Sequence, residues 1–233
     1  MIPGARLAIL GKQGAGKGTQ AVRLSRHYVV PHIATGDLFR AAVRSGSDFG
    51  HKAQAYMDAG ELVPDDLVIG MVRERLDHED ARRRGFLLDG FPRNVVQAEA
   101  LEDALAPAGL DVVVNLDVPT DIVLRRLAGR RVCVECGANY GVEEGPAEDW
   151  ACATCGGRVV QRGDDTEAAI ARRLALYEEQ TDPLIAWYTD LGRLVTVNGV
   201  GARDEVTRRL IDAVDARLNY QRAARALRTG TEC

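Results

Sequence analysis

The 233-residue chain is 46% hydrophobic and 27% charged, an ordinary globular balance with enough apolar material for a sizeable core. A formal net charge of −4 argues against general affinity for nucleic acid or anionic membranes, although arginines can still converge locally on phosphate. The opening run MIPGARLAIL resembles neither a signal peptide nor a membrane span, so a cytoplasmic protein is expected, and no internal repeat or low-complexity tract appears.

In chain order, Arg6–Leu10 (RLAIL) is a short apolar run closed by glycine, as in a buried parallel strand. The glycine-rich stretch GKQGAGKGT follows, after which Ala21, Leu24 and Tyr28 are spaced along one helix face. Thr35–Val63 reads as helical, contains little strand-like sequence and closes on GELVPDD. Phe86–Asp89 (FLLD) and Val112–Val118 (VVVNLDV) read as core strands, and Leu194–Gly199 (LVTVNG) as the last one. Helical stretches lie at Val95–Leu105, Thr120–Leu127 and Asp165–Thr189, with a final helix from Arg203 to near Leu227. Strands alternating with helices predict an α/β fold with a parallel sheet, whose ligand sits at the carboxyl ends of the strands. Thr35–Val63 and the Gly-, Cys- and turn-rich Gly129–Asp165 read as insertions into that core.

Gly11–Thr19 nearly matches the phosphate-binding pattern G-x-x-x-x-G-K-[ST], in which the hydroxyl binds magnesium. Gly18 fills the hydroxyl position and Thr19 comes one residue late. A glycine-rich turn could merely join strand to helix; the strand, the glycines, Lys17 and the helix together favour a cradle of backbone N–H groups, with Lys17 reaching the β and γ phosphates. Asp89, ending a buried strand, can hold magnesium through its water shell and so substitute for the missing hydroxyl. The alternative for Asp89 is a cap on the loop before the next helix.

Arg40, Arg93, Arg126, Arg130, Arg162 and Arg173 lie beside the predicted strand ends or the insertions. Singly, each reads as a solvated surface charge; as a set, they suit phosphoryl transfer between polyanions, where planar donors neutralise developing charge. Cys133-x2-Cys136, fifteen residues, then Cys152-x2-Cys155 has the spacing of a closed four-cysteine zinc site, with two disulfides or free thiols as the alternatives. His27, His32, His51 and His78 form no ligand-spaced pair, and Cys233 has no assigned role.

Taken in order, GxxGxGKGT, TGDLFRAAV, GELVPDDLV, LLDGFPRNVVQ, GRRVCVECG and RGDDTEAAIARRL resemble the adenylate kinase family, in its bacterial, long-lid, zinc-containing form, from Arg6 to about Leu218. The resemblance implies a P-loop three-layer core over 1–233 with a five-stranded parallel sheet, an AMP-binding insertion at 34–63 and a zinc-binding lid at 129–165. It implies a magnesium-dependent monomer that converts ATP and AMP reversibly to two ADP. The ATP side would comprise Gly14, Ala15, Gly16, Lys17, Gly18, Thr19, Arg126 and Arg130, with Asn139, Tyr140 and Gly201 near the base and sugar. AMP would be held by Thr35, Arg40, Glu61, Leu62, Val63, Gly90, Phe91, Pro92, Arg93 and Gln97. Arg162 and Arg173 would close over the phosphates, near Asp164 and Asp165, and Asp37 would join Asp89 in holding magnesium's waters. Gln97, as donor and acceptor, would pair with the adenine edge.

The chain departs from the family pattern at Lys12-Gln13, which replaces a small residue and proline, and at Asn94-Val95-Val96, which replaces Thr-x-Pro. The tail NYQRAARALRTGTEC exceeds the typical family end. Another nucleoside monophosphate kinase, or a GTP-preferring relative, is the nearest competing reading. A nucleic-acid-binding zinc ribbon is a more distant one, disfavoured by Glu143, Glu144, Glu148 and Asp149 and by the lack of a basic aromatic face.

Overall fold

Strand β1, Arg6–Leu10, lies at the centre of a parallel sheet and shows why its sequence is apolar throughout. Leu7 and Ile9 pack into one hydrophobic cluster, whereas Ala8 and Leu10 pack into a second on the opposite face. Side chains alternate across a strand, so a sheet covered on both faces needs an unbroken apolar run. The computed structural model describes residues 4–46, 48–59, 61–141, 150–161 and 165–229.

The sheet comprises β1, β2 (His32–Ala34), β3 (Phe86–Asp89), β4 (Val112–Asp117) and β8 (Leu194–Asn198), in the order β2-β3-β1-β4-β8 with every pairing parallel. β2 is absent from the strands legible in the sequence. It is a three-residue edge strand with only Ile33 buried, too short for any periodicity to register.

One face is covered by α1 (Lys17–Tyr28), α7 (Thr120–Ala128), α8 (Glu167–Leu176) and α10 (Arg203–Thr229), through Leu24, Leu127, Leu174, Leu210 and Val214. The other is covered by α4 (Asp65–Leu76), α6 (Val95–Ala104) and α9 (Pro183–Asp190), through Val72, Leu101, Leu184 and Tyr188. The result is the expected three-layer α/β architecture. Each fully buried Leu or Val contributes about 1.5–3 kcal/mol.

Between β2 and α4 lie α2 (Thr35–Arg44) and α3 (Asp48–Ala59), and α5 (Glu79–Arg84) precedes β3. The cysteine-rich segment carries a small antiparallel sheet ordered β6-β5-β7, from β5 (Arg131–Cys133), β6 (Asn139–Tyr140) and β7 (Val159–Val160).

The helix expected over Asp165–Thr189 is divided. It starts at Glu167 behind Thr166, whose side chain accepts from the Ala169 N–H. A π-helical turn, Tyr177–Thr181, then separates α8 from α9. Pro183 occupies the first turn of α9, where its missing N–H costs nothing. The widened turn brings Thr181 Oγ1 within 2.7 Å of the Arg93 carbonyl, to which it donates.

Candidate active site

All the strands of the main sheet point their carboxyl ends to one side. The pairings Ala34↔Asp89, Ile9↔Asp89 and Asp117↔Asn198 align those ends. The glycine-rich loop leaves β1 there and enters α1 at Lys17. Gly11 (φ 140°), Gly14 (φ 83°) and Gly16 (φ 100°) supply conformations that L side chains resist. A Cβ added at Gly11 would also lie only 2.6 Å from the Leu116 carbonyl oxygen. Helix α1 has no side-chain cap and no acidic residue in its first turn, so its N-terminal N–H groups suit an anion.

Lys17 Nζ donates to the Gly11 carbonyl at 2.6 Å and the Lys12 carbonyl at 3.0 Å. An ammonium has three donors, so the loop anchors the side chain and leaves one for a phosphate oxygen. Desolvation at the base of the cleft, opposed by the charge of Asp89 and assisted by Arg93 and Arg130, lowers its pKa to about 8. Lys12 instead donates to Thr120 Oγ1 at 2.8 Å.

A Cβ added at Gly18 would lie 3.4 Å from Asp89 Oδ2. The carboxylate thus borders the position where a Ser or Thr would project, as the substitution argument requires. Asp89 also lies 3.4 Å from His32 Nε2. It is not the cap of α6: that role falls to Asn94, whose side chain accepts from the Gln97 N–H at 2.9 Å.

Of these arginines, the structure brings Arg93, Arg130 and Arg173 close together. Arg130 binds Asp165 through two contacts, at 2.7 and 2.5 Å, and Arg173 lies 3.9 Å from the same buried carboxylate. With its amide oxygen turned toward them, Gln13 accepts from Arg130 Nη2 at 2.9 Å and from Arg173 Nη1 at 2.8 Å. Arg126 donates to the carbonyls of Ala15 (3.0 Å) and Gly199 (3.3 Å), tying the loop after β8, which includes Gly201, to the glycine-rich loop. Arg93 is solvent-exposed by area, although protein atoms crowd around its guanidinium. Desolvation, then the charges of Arg173 and Arg40, opposed by Asp89, lower its pKa. Arg40 is paired with Asp37.

Around Arg93, Thr35 is buried and its hydroxyl donates to the Gly90 carbonyl at 3.0 Å, which also accepts from Arg93 Nε at 2.8 Å. Phe91, Val63 and Gln97 are buried, with Pro92 between Phe91 and Arg93. The Glu61 carboxylate is engaged by Arg172 at 2.8 and 3.1 Å, and Leu62 is half-buried beside it. The described contacts of Asn139 and Tyr140 stay within the cysteine-rich segment. Arg162 and Asp164 lie outside the described residues. Sequence reasoning gave Asp165 no more than a place in the hinge; its role as the shared counter-ion of two arginines emerges only from the fold.

The adenylate kinase family model matches residues 9–193. The chain is 52% identical over 204 residues to an adenylate kinase of Thermodesulfovibrio yellowstonii, covering 86% of this chain and 94% of that one. It is 48% identical over 215 residues to one of Streptomyces griseus, covering 91% and 98%. Over 197 residues it is 50% identical to one of Moorella thermoacetica, covering 83% and 90%. The chain belongs to the adenylate kinase family. It is therefore a nucleoside monophosphate kinase that transfers a phosphoryl group between ATP and AMP and serves adenine nucleotide balance.

The four expected cysteines place this adenylate kinase in the zinc-lid type. Their sulfurs all lie within 4.8 Å of one another, with Cys133–Cys155 and Cys136–Cys152 at 3.5 Å. Zn–S bonds of about 2.3 Å in a tetrahedron imply S···S separations of about 3.8 Å, which the cluster fits. At 3.5 Å neither close pair is a disulfide. The Tyr140 hydroxyl lies 3.0 Å from Cys152 Sγ, and its hydrogen bond lowers that thiol's pKa to about 5, favouring the thiolate a metal binds. Four thiolates would close the coordination sphere, leaving zinc a structural part only. Among the described residues the lid's hydrophobic cluster contains only Cys133, Cys152 and Val159, flanked by Ala138, Tyr140 and Trp150. That is too little to fold without a cross-link.

Metal analysis is expected to find one zinc per chain, and strong chelation or Cys152→Ala should lower the melting temperature. Activity at low temperature should survive in good part, because Lys17, Arg93, Arg130 and Arg173 lie outside the cluster. The converse result, loss of turnover on metal removal with the lid still folded, would show that zinc acts beyond structure.

Lys17→Ala should lose about 3 kcal/mol of transition-state stabilisation, a hundredfold or more in kcat/KM, with the fold retained. Phosphate binding needs the charged lysine, so kcat/KM for ATP should be level with respect to this group below pH 8 and fall above it. A phosphate in place raises the lysine's pKa, so the alkaline limb of kcat should lie at higher pH. Steady-state kinetics from pH 6.5 to 9.5 checks both limbs.

Proposed function

We propose that ATP binds on Gly14, Ala15, Gly16, Lys17, Gly18 and Thr19, and that AMP binds between Thr35, Arg40, Glu61–Val63, Gly90–Arg93 and Gln97. The observation that carries this assignment is the convergence of Lys17, Arg93, Arg130 and Arg173 at the carboxyl ends of the strands. The segments 34–63 and 129–165 then serve as the AMP-binding insertion and the lid of the 1–233 core.

The chemistry follows from charge placement. Phosphoryl transfer proceeds with donor and acceptor oxygens in line and with charge spread over the moving group, so positioning and neutralisation supply most of the catalysis. Lys17 meets the terminal phosphates of ATP, Arg93 holds the AMP phosphate, and Arg130 and Arg173 neutralise the group in transit. Arg126 fixes the loop backbone through the Ala15 carbonyl and presents its remaining donors to phosphate. Arg162 belongs to the same set by its position in the lid. Magnesium would be held by the nucleotide phosphates and, through water, by Asp89 with Asp37, and would supply charge neutralisation to the phosphates. No general base is required. Closure of both insertions keeps water from the transferring phosphoryl group.

Asn139, Tyr140 and the backbone of Gly201 would flank the ATP base and sugar when the lid closes. The Tyr140 hydroxyl is committed to Cys152, so its ring face, rather than its oxygen, is the part offered to a nucleotide. The net charge of −4 argues against nucleic-acid and anionic-membrane partners, and the family resemblance supports a cytoplasmic monomer. Among the described residues no helix is long and apolar enough to cross a membrane.

A magnesium-dependent assay of ADP formation, run with AMP, GMP, CMP and UMP as acceptors, tests the assignment. AMP should be preferred by orders of magnitude, since a mismatched base leaves buried polar groups unpaired. Equal rates with GMP or UMP would refute the adenine site.

A further inference from the structure

Gln97 is 1% exposed, and its side-chain amide is held at both ends. Its oxygen accepts from the Arg93 backbone N–H at 2.8 Å, and its nitrogen donates to Asp65 Oδ1 at 2.7 Å. Asp65 is fixed in turn by Asn94, whose amide nitrogen donates to Oδ1 at 3.0 Å and Oδ2 at 3.1 Å. Asn94 is held by its own oxygen, which caps α6 through the Gln97 N–H at 2.9 Å. The network closes on itself.

The chemistry of its two ends is one-sided. A backbone N–H can only donate, and an ionised carboxylate can only accept. Rotating the Gln97 amide by half a turn would set oxygen against carboxylate and N–H against N–H, sacrificing two hydrogen bonds, one of them charge-assisted. A glutamine without such neighbours flips freely, and would serve equally a base edge that accepts at N1 and donates at position 6, or the reverse pattern. In its locked orientation, Gln97 keeps one N–H and one oxygen lone pair beyond those already used.

We propose that Asp65, set by Asn94, is the positioning residue that fixes the orientation of the Gln97 amide and thereby makes the acceptor site selective for a 6-aminopurine over a 6-oxopurine nucleotide. The inference rests on the assignment of the acceptor base to Gln97. It gives a reason for Asn94, one of this chain's departures from the family pattern: it both caps the helix and tethers Asp65. Serine or threonine could supply the cap, but neither has an amide nitrogen to donate to both carboxylate oxygens.

The test uses AMP and IMP, which differ at the 6-substituent and the N1 proton while keeping the same shape. Wild-type enzyme, Asp65→Asn, Asn94→Ser and Gln97→Leu would be compared by kcat/KM for each acceptor and by calorimetric affinity. Asp66→Asn, on the neighbouring exposed carboxylate, is the control. An asparagine at 65 accepts or donates, so the lock is released, and the AMP/IMP ratio is expected to narrow roughly tenfold or more. KM for ATP and the melting temperature should stay near wild type. Adding Asp65→Asn to Gln97→Leu should then change the ratio no further, because the effect passes through Gln97.

Should Asp65→Asn unfold, Asn94→Ser, which keeps a capping oxygen, is expected to narrow the ratio in the same direction. An unchanged ratio in folded Asp65→Asn, or equal losses for both nucleotides, would overturn the lock while leaving the adenine site standing. A wild-type enzyme that uses IMP as well as AMP would overturn both.

Discussion

Cations that must meet a polyphosphate repel one another until it arrives, so the cleft depends on whatever holds them together beforehand. Asp165 does so here. Its carboxylate is fully buried and shared by Arg130 and Arg173, with Gln13 accepting from both guanidinium groups on another side. The shared carboxylate and the glutamine oxygen hold the two guanidinium groups side by side. Lys17 follows the same logic with neutral groups, since backbone carbonyls of the glycine-rich loop hold the ammonium without cancelling it. The cleft is preorganised for negative charge, which is where most of the catalytic advantage of such a site lies.

The fold makes this arrangement affordable. The parallel sheet, buried on both faces, fixes the carboxyl ends of β1 and β3 side by side, so that Asp89 and the glycine-rich loop meet without any flexible linker. Gly18 leaves room at that junction. Arg126 then joins the loops following β1 and β8, carrying the order of the core into both.

Much of this was legible in the sequence because it depends on local pattern. The apolar runs gave four of the strands, the loop spacing placed Lys17, and the two Cys-x2-Cys pairs located the metal cluster. What escaped shares a different cause. β2 earns its place by pairing with β3 and has too few residues to show a period. The division of α8 from α9 depends on a π-helical turn whose purpose, the contact of Thr181 with the Arg93 carbonyl, joins residues 88 positions apart. Asp65 and Asp165 look in sequence like ordinary helix-start acids; only their partners, Gln97 of α6 and Arg130 just beyond α7, distinguish them. Long-range hydrogen bonds leave no periodic trace.

The two insertions meet the problem of small size differently. The α2–α3 segment borrows the main core: Phe39, Ala53 and Val63 are buried in the same cluster as Leu88 and Leu184. Its helices approach so closely at Gly50 that a Cβ there would lie 2.2 Å from the Ala42 carbonyl oxygen. Among its described residues, the cysteine-rich segment instead has a separate cluster around Cys133, Cys152 and Val159, beside the four cysteines. A segment that shares the core is fixed by those contacts, whereas one with its own cluster depends on a cross-link within itself. Arg130 and Asp165 stand at the two ends of that segment and are joined to each other. The ion pair that gathers Arg130 and Arg173 on Asp165 therefore also ties together the two chain ends of the cysteine-rich segment.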